Sequence, residues 1–446
     1  MSTSTHFPPQ AAPRLGLLAL GLATLLPMLA ASMGGILLPA LGAAFHLPFA
    51  TLQWVLVAYL LGLTCLTVVA GRLGDRFGRR RLLLWGMGGF ALASLLCALA
   101  PTIGWLIAAR ALQGASAACM LTLSLAMVGQ LVSPARRGWS MGLLGTLSAC
   151  GTVLGPSFGG LLLEVAGWQA AFLALLPLGL LALLCARAGL PDDGASGQGA
   201  RLNLASLGWL LVTLLGYGLA LTTTGILALW LGGGALLAAA LAASALVAGV
   251  MVATVLIGPF YLQGVFGLGP LTSGLLISGG PLLAALSGMP AGWLVDRVGA
   301  ITVVRLGLLV MSAVVLLATL GSGGGPVGYL LPVLLLTAGY ALFQTANNSL
   351  VIGAADEQTR GAVAGLLTLS RNLGQLTGAA GLGALFAALA GGGNPAVASA
   401  SELAFAMQAT FALTALLLMS ALWLAGRGER DVPGNATREV CELRDR

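Results

Sequence analysis

The sequence predicts an all-α polytopic membrane protein, two six-helix bundles with an extra apolar hairpin between them. Three observations carry this expectation. Of the 446 residues, 58% are hydrophobic and only 7% charged, with a mean hydropathy of +1.00, which is more apolar surface than a water-soluble core can hide. Apolar runs long enough to span a bilayer follow one another from Leu15 to Ala425. A basic turn punctuated by glycine, Gly71-Arg72-Leu73-Gly74-Asp75-Arg76-Phe77-Gly78-Arg79-Arg80-Arg81, has a shortened echo at Gly292-Trp293-Leu294-Val295-Asp296-Arg297-Val298-Gly299. Both copies place Asp-Arg-x-Gly at the end of a hydrophobic helix, so the chain reads as two related halves.

In the first half, spans are expected near 15–38, 51–71, 82–100, 103–131, 139–163 and 169–188. The first run exceeds the length of a signal-peptide core, so it counts as a retained span. The basic turn joins spans two and three, and Ser133 to Gly138 joins four and five. Pro191 to Gly199 is a polar, glycine-rich linker that closes this half. The second half offers spans near 244–264, 272–294, 302–320, 328–353, 361–390 and 403–426. Thr146-Leu147-Ser148 and Thr368-Leu369-Ser370 recur at almost the same separation as the two basic turns, as parallel repeats would. The apolar stretch 202–243 belongs to neither half. Arg201 and Arg297 both require the cytoplasmic side, so an even number of crossings lies between them, and four crossings fit the available length. The expected organisation is therefore a first bundle over 1–190, linker and hairpin over 191–243, a second bundle over 244–426 and a tail over 427–446. The hairpin needs a turn near Ala242-Ala243-Ser244, with Gly232-Gly233-Gly234 as the rival break.

Charge sets the orientation. All 20 basic residues are arginine, and they gather in alternate loops and the tail, while the intervening loops near 40–50, 100–104, 165–170, 265–271, 321–328 and 391–402 hold none. That one-sided pattern puts both termini in the cytoplasm and argues against nucleic acid as the partner of a net charge of +7. The six cysteines show no paired spacing, so neither a disulfide framework nor a metal site is expected.

Several residues stand out chemically. The glycines of the basic turn permit close helix ends, and Asp75 can cap a neighbouring helix or pair with an arginine, as an inner gate would require. In this reading Gly71, Asp75, Arg76, Gly78, Arg79 and Arg80, with Asp296 and Arg297 in the second copy, form the gate. Arg110 lies about 12 Å inside the fourth span, where a charge must face protein or water. Glu164 is the one acid clearly within a span, one helical turn from the outer end of span five. Gly151, Gly155, Pro156, Gly159 and Gly160 give span five a small-residue face and a bend. Gln53, Tyr59, Tyr261, Gln263, Tyr340, Gln344, Asn347, Asn348 and Arg371 are polar groups inside spans, and they are the candidates to line a substrate cavity. Each of these groups also suits a plain interhelical hydrogen bond.

These motifs resemble those of the major facilitator superfamily. Gly71 to Arg81 is similar to that family's loop signature, Leu106-Ile107-Ala108-Ala109-Arg110-Ala111-Leu112-Gln113-Gly114 to its fourth-helix motif, and Gly151 to Gly160 to the fifth-helix motif of its antiporters. The likeness extends through Ala338 to Gln344 and Asn347-Asn348, and it is nearest to the fourteen-span drug:proton antiporter branch. The resemblance implies a role for Arg110 in proton coupling and a leak seal at the bend of span five. One departure stands out. The stretch Leu29 to Pro39 in span one has no acid, whereas such relatives commonly carry an aspartate there. The proton carrier is therefore open, and no buried negative charge is present to attract a cation.

The expected function is a secondary active transporter in a bacterial inner membrane, exporting small amphipathic drugs or metabolites in exchange for protons by alternating access. A facilitator or uniporter of a small metabolite is the alternative. The expected partners are a small-molecule substrate, protons and lipid, with no nucleic acid, no cofactor and a functional monomer. A membrane enzyme lacks a catalytic constellation, since His6 and His46, the only histidines, lie outside the spans. A channel would call for a charged ring or filter.

Overall fold

The computed structural model describes residues 11–131, 137–192, 235–320, 325–353, 360–391, 395 and 398–427. Every regular element among them is a helix. In order these are α1 (Ala11–Phe45), α2 (Phe49–Leu52), α3 (Trp54–Phe77), α4 (Arg79–Ala98), α5 (Ile103–Leu131), α6 (Arg137–Ala166), α7 (Trp168–Leu173) and α8 (Leu175–Gly189). There follow α9 (Ala235–Phe266), α10 (Pro270–Val298), α11 (Ala300–Leu320), α12 (Gly325–Gly353), α13 (Arg360–Leu389) and α14 (Ala400–Arg427). Eleven apolar stretches among the described residues are long enough to cross a bilayer, and 49–67 and 168–189 each run through two of these helices. Helix α13 has the length of a span but carries Arg371, Asn372 and Gln375 in its middle, and it stands outside the eleven.

The turn expected near Ala242-Ala243-Ser244 is absent, because α9 runs unbroken from Ala235 through Phe266. The cause is local: alanine and leucine are strong helix formers, and nothing in Ala235 to Ser244 stops a helix. The rest of the expected hairpin, 202–234, lies outside the described residues.

Two compact units divide the chain. One comprises 1–209, 255–282 and 391–399, and the other 210–254, 283–390 and 400–446. In the first, helices approach through glycine. Along α6, Gly151, Gly155 and Gly159 recur every four residues and so form one stripe on α1. A Cβ at Gly155 would stand 2.9 Å from Leu29 O and Met33 N, besides meeting the Ser32 hydroxyl, and one at Gly159 would stand 2.9 Å from Ile36 Cγ2. Gly114 on α5 lies against the Tyr59 backbone of α3, and Gly86 on α4 would place a Cβ 2.9 Å from that of Cys119 on α5. In a solvent as apolar as leucine, such close van der Waals contact drives association.

The second unit repeats the device. Gly374 and Gly378 on α13 lie against Ala245 and Gly249 on α9, and Gly307 on α11 faces Gly339 O (2.8 Å from a built Cβ) on α12. The two basic turns also match. Gly78, with φ 94°, separates α3 from α4, and Gly299, with φ 86°, separates α10 from α11. Positive φ is costly for any residue with a Cβ, so glycine is needed at both junctions.

Two glycines of α6 separate packing from propensity. Gly155→Ala should destabilise the protein by about 1–3 kcal/mol through overpacking on α1. Gly145→Ala, where a Cβ would meet nothing within 4 Å, should be neutral or stabilising by about 0.5–1 kcal/mol. Thermal midpoints of the purified variants measure both. Equal midpoints would remove the stripe as a determinant of packing.

Candidate functional site

The first basic turn is tied to the end of α8. Arg80 forms an ion pair with Asp192, and its Nη2 donates to the Arg187 carbonyl (2.9 Å). This joins the start of α4 to the linker, near the cytoplasmic end expected from the arginine pattern. Arg76 lies over the Phe77 ring at 5.3 Å, and Arg79 packs beside Gly74, its Cγ 3.5 Å from a built Cβ. Gly71 faces Thr122 on α5. Asp75 is in the last turn of α3, and its side chain lies outside what is described. In the second copy Asp296 and Arg297 are exposed, and Arg297 stacks on Trp293 at 4.2 Å.

Arg110 is completely buried in the first unit. Its Nε donates to Val55 O of α3 (3.1 Å), and its Nη1 donates to Ala30 O of α1 (3.2 Å) and to Gln113 Oε1 (2.7 Å). Gln113 Nε2 then donates to Ser94 Oγ of α4 (2.8 Å), which donates to Phe90 O (2.7 Å). The guanidinium also lies 4.3 Å from the Tyr59 ring centroid and 5.8 Å from that of Phe172. Carbonyl dipoles and aromatic faces thus stabilise the cation. No carboxylate among the described residues reaches it. Its Nη2 is buried without a hydrogen-bond partner and faces Gly34, whose built Cβ would be 3.1 Å away. This is the stretch of span one where the sequence departs from the family pattern.

Glu164 is placed differently. Its Oε2 accepts the backbone N–H of Leu271 (3.1 Å), so the exposed carboxylate caps the first turn of α10 from the end of α6. Nearby on the same pair of helices, Gly274 lies against Pro156, Gly160 lies against Pro270, and the Ser157 and Ser278 hydroxyls are 2.5 Å apart. The motif residues of α6 therefore serve two neighbours. Gly151, Gly155 and Gly159 face α1, while Pro156 and Gly160 face α10. The structure does not join Arg110 to Glu164, and their hydrogen-bond partners do not overlap.

The cavity candidates separate into groups. Tyr59 is buried, donating to Pro27 O (2.7 Å), and Asn347 is buried, its Nδ2 donating to Ser244 Oγ (2.7 Å) and Ala240 O (3.3 Å) of α9. Both hold helices together. Asn347 Oδ1 has no partner and lies beside a small cavity between α9, α11, α12 and α14. Gln53 is buried with Oε1 unpaired, and Gln263 is half-buried with Nε2 unpaired. Tyr261 packs edge-on against Phe266 at 5.4 Å. Tyr340, Gln344, Asn348 and Arg371 are half-buried, and Arg371 is within electrostatic reach of the Tyr340 phenol.

Sequence reasoning did not single out Gln113, Ser94 or Phe172. Gln113 carried a usable signal, because it lies three residues from Arg110 on one helix. Ser94 and Phe172 come from other helices, and no spacing links them to Arg110.

A chain of membrane-length helices with a buried cation, paired basic turns and small-residue seams is an integral membrane protein. Comparison with known proteins makes this specific. The model of the Major Facilitator Superfamily matches residues 20–379, and the chain belongs to that family. An uncharacterized Escherichia coli (strain K12) transporter, YebQ, is 30% identical over 78% of this chain and 84% of its own. The tetracenomycin C resistance and export protein of Streptomyces glaucescens is 28% identical over 88% of this chain and 81% of its own. Among solved structures, a bacterial homologue of the human lysosomal transporter Spinster superposes with a TM-score of 0.76 at 17% identity, covering 95% of this chain and 98% of its own.

The Arg110 node predicts a stability contrast. Gln113→Leu strips Nη1 of an acceptor and breaks the link to Ser94, so it should lower stability by about 1–3 kcal/mol. Gln113→Glu keeps an acceptor for Nη1 but loses the donor to Ser94 Oγ, so its thermal midpoint should fall between those of Gln113→Leu and wild type. A Gln113→Leu midpoint equal to wild type would contradict the node.

Proposed function

We propose that the protein is a proton-coupled exporter of small amphipathic drugs or metabolites, working by alternating access as a monomer in a bacterial inner membrane with both termini cytoplasmic. The observation that carries this reading is the two-sided seam of α6, with its glycine stripe on α1 and Pro156 and Gly160 on α10. A seam closed at backbone distance leaves no path for ions to leak, which suits exchange. The similarity to a tetracenomycin C export protein supports the direction of transport. The paired basic turns supply the gate, with Gly71, Asp75, Arg76, Gly78, Arg79 and Arg80 in one copy and Asp296 and Arg297 in the other. Gln53, Tyr261, Gln263, Tyr340, Gln344, Asn348 and Arg371 are the polar groups offered to substrate.

Arg110 and Glu164 form the coupling pair in this proposal, acting at separate places. Glu164 carries the proton. As a carboxylate it holds the first turn of α10 through Leu271 N–H, and once protonated it loses its attraction for the positive helix end and releases it. Arg110 fixes α1, α3 and α5 around the point where they must move together.

The absence of an acid from the middle of every span favours a second reading, a facilitator of a small metabolite without proton coupling. Inverted vesicles with an imposed pH gradient decide between the two. Under the exporter reading the wild type accumulates substrate, while Glu164→Gln and Arg110→Ala keep downhill exchange and lose gradient-driven accumulation. Accumulation that ignores the gradient, or a Glu164→Gln variant that accumulates normally, contradicts it.

A further inference from the structure

The exporter reading leaves the chemical class of substrate open, and α13 narrows it. Thr368, Arg371, Asn372 and Gln375 recur at i, i+3, i+4 and i+7 and so form one polar stripe. The packing stripe is on another side of the same helix: Ser370 donates to Leu241 O (2.6 Å), and Gly374 and Gly378 lie against Ala245 and Gly249. The polar stripe is therefore not the face that binds α9. Asn372, Gln375 and Arg371 itself are half-buried, and Thr368 is exposed.

Arg371 is the twelfth residue of α13, about 16 Å along the helix from its start. At that depth a guanidinium open to lipid is strongly unfavourable, so a partly accessible one must face an aqueous path. Its electrostatic neighbour is the Tyr340 phenol of α12, and among the described residues no hydrogen bond or ion pair to it is present. The described acids of the second unit are at helix ends, Asp296 in the last turn of α10 and Glu402 in the first turn of α14. The first unit has the same bias. Its mid-span charge is Arg110, and Glu164 is bound to Leu271 N–H near the helix end.

We propose that Arg371, with Tyr340 beside it, is an anion-recognition point, and that the transported molecules are amphipathic anions bearing a carboxylate or a similar acidic group. A guanidinium receives a carboxylate through two parallel N–H donors. The same positive field repels amphipathic cations. This rests on the exporter reading and adds the sign of the substrate charge.

Equilibrium binding to the purified full-length protein tests it, read by fluorescence anisotropy with fluorescein as the anionic probe and rhodamine 6G as the cationic one. Wild type should bind fluorescein about 10-fold more tightly than rhodamine 6G, as expected for one charge-assisted contact. Arg371→Gln should lose that advantage, weakening fluorescein and strengthening rhodamine 6G binding, while Arg371→Lys should keep most of it. Rhodamine 6G binding as tightly as fluorescein in wild type, binding of neither probe, or an equal loss of both in Arg371→Gln would each overturn the proposal. Export is scored separately, by a resistance panel in deletion and overexpression strains. A cation preference with intact export would sink only the anion assignment, and loss of export would sink the reading beneath it.

Discussion

The bilayer offers no hydrogen bonds, so every polar group at its centre must find a partner in protein or water. Arg110 shows what this demands. Its charge is accommodated by carbonyls of α1 and α3, the Gln113–Ser94 link to α4 and the rings of Tyr59 and Phe172. These contacts reach across several helices of the first unit, so moving one of them exposes the guanidinium to lipid or strips it of an acceptor. Glycine complements this constraint. Where Gly114 lies against the Tyr59 backbone, α3 and α5 approach closely enough for Arg110 to meet Val55 O. Small residues set the distances, and the buried cation sets the registers.

The same logic gives α13 its two sides. Ser370, Gly374 and Gly378 supply close contact with α9, and the stripe through Arg371 supplies polarity where lipid could not tolerate it. Polarity of that kind has a use only if the helix meets an aqueous path. The comparable seam of the first unit, between α6 and α1, is closed by Gly151, Gly155 and Gly159 against Leu29, Ser32, Met33 and Ile36. On α13 the two kinds of polarity share one helix, with Ser370 buried against α9 and Arg371 half-buried beside it.

Much of this was legible in the sequence, because the relevant signals are local. Asp-Arg-x-Gly repeated at the end of two apolar helices predicted paired turns, and Gly78 and Gly299 both adopt positive φ there. The stripe Gly151, Gly155, Gly159 is plain from its spacing, and the depth of Arg110 from its distance to the loop. What was not legible depends on which neighbour covers a face. Asn347 stands among the cavity candidates beside Gln344 and Asn348, yet it is bound to Ser244 on α9. Glu164 accepts a hydrogen bond from a backbone N–H in another span, which no spacing reveals. The expected turn at Ala242 failed for a different reason. Span counting by length required a break where the local residues favour continued helix.

Site-directed labelling of α13 tests the account most directly. In a background lacking the native cysteines, single cysteines at Thr368, Asn372 and Gln375 would be challenged with a membrane-impermeant maleimide in vesicles, beside cysteines at Ser370 and Ala379, which are buried. An aqueous path along the polar stripe predicts rapid labelling at the first three positions and little at the other two. If Asn372 and Gln375 stay unlabelled, or Ser370 labels as fast as they do, α13 does not line such a path and the account of Arg371 falls with it.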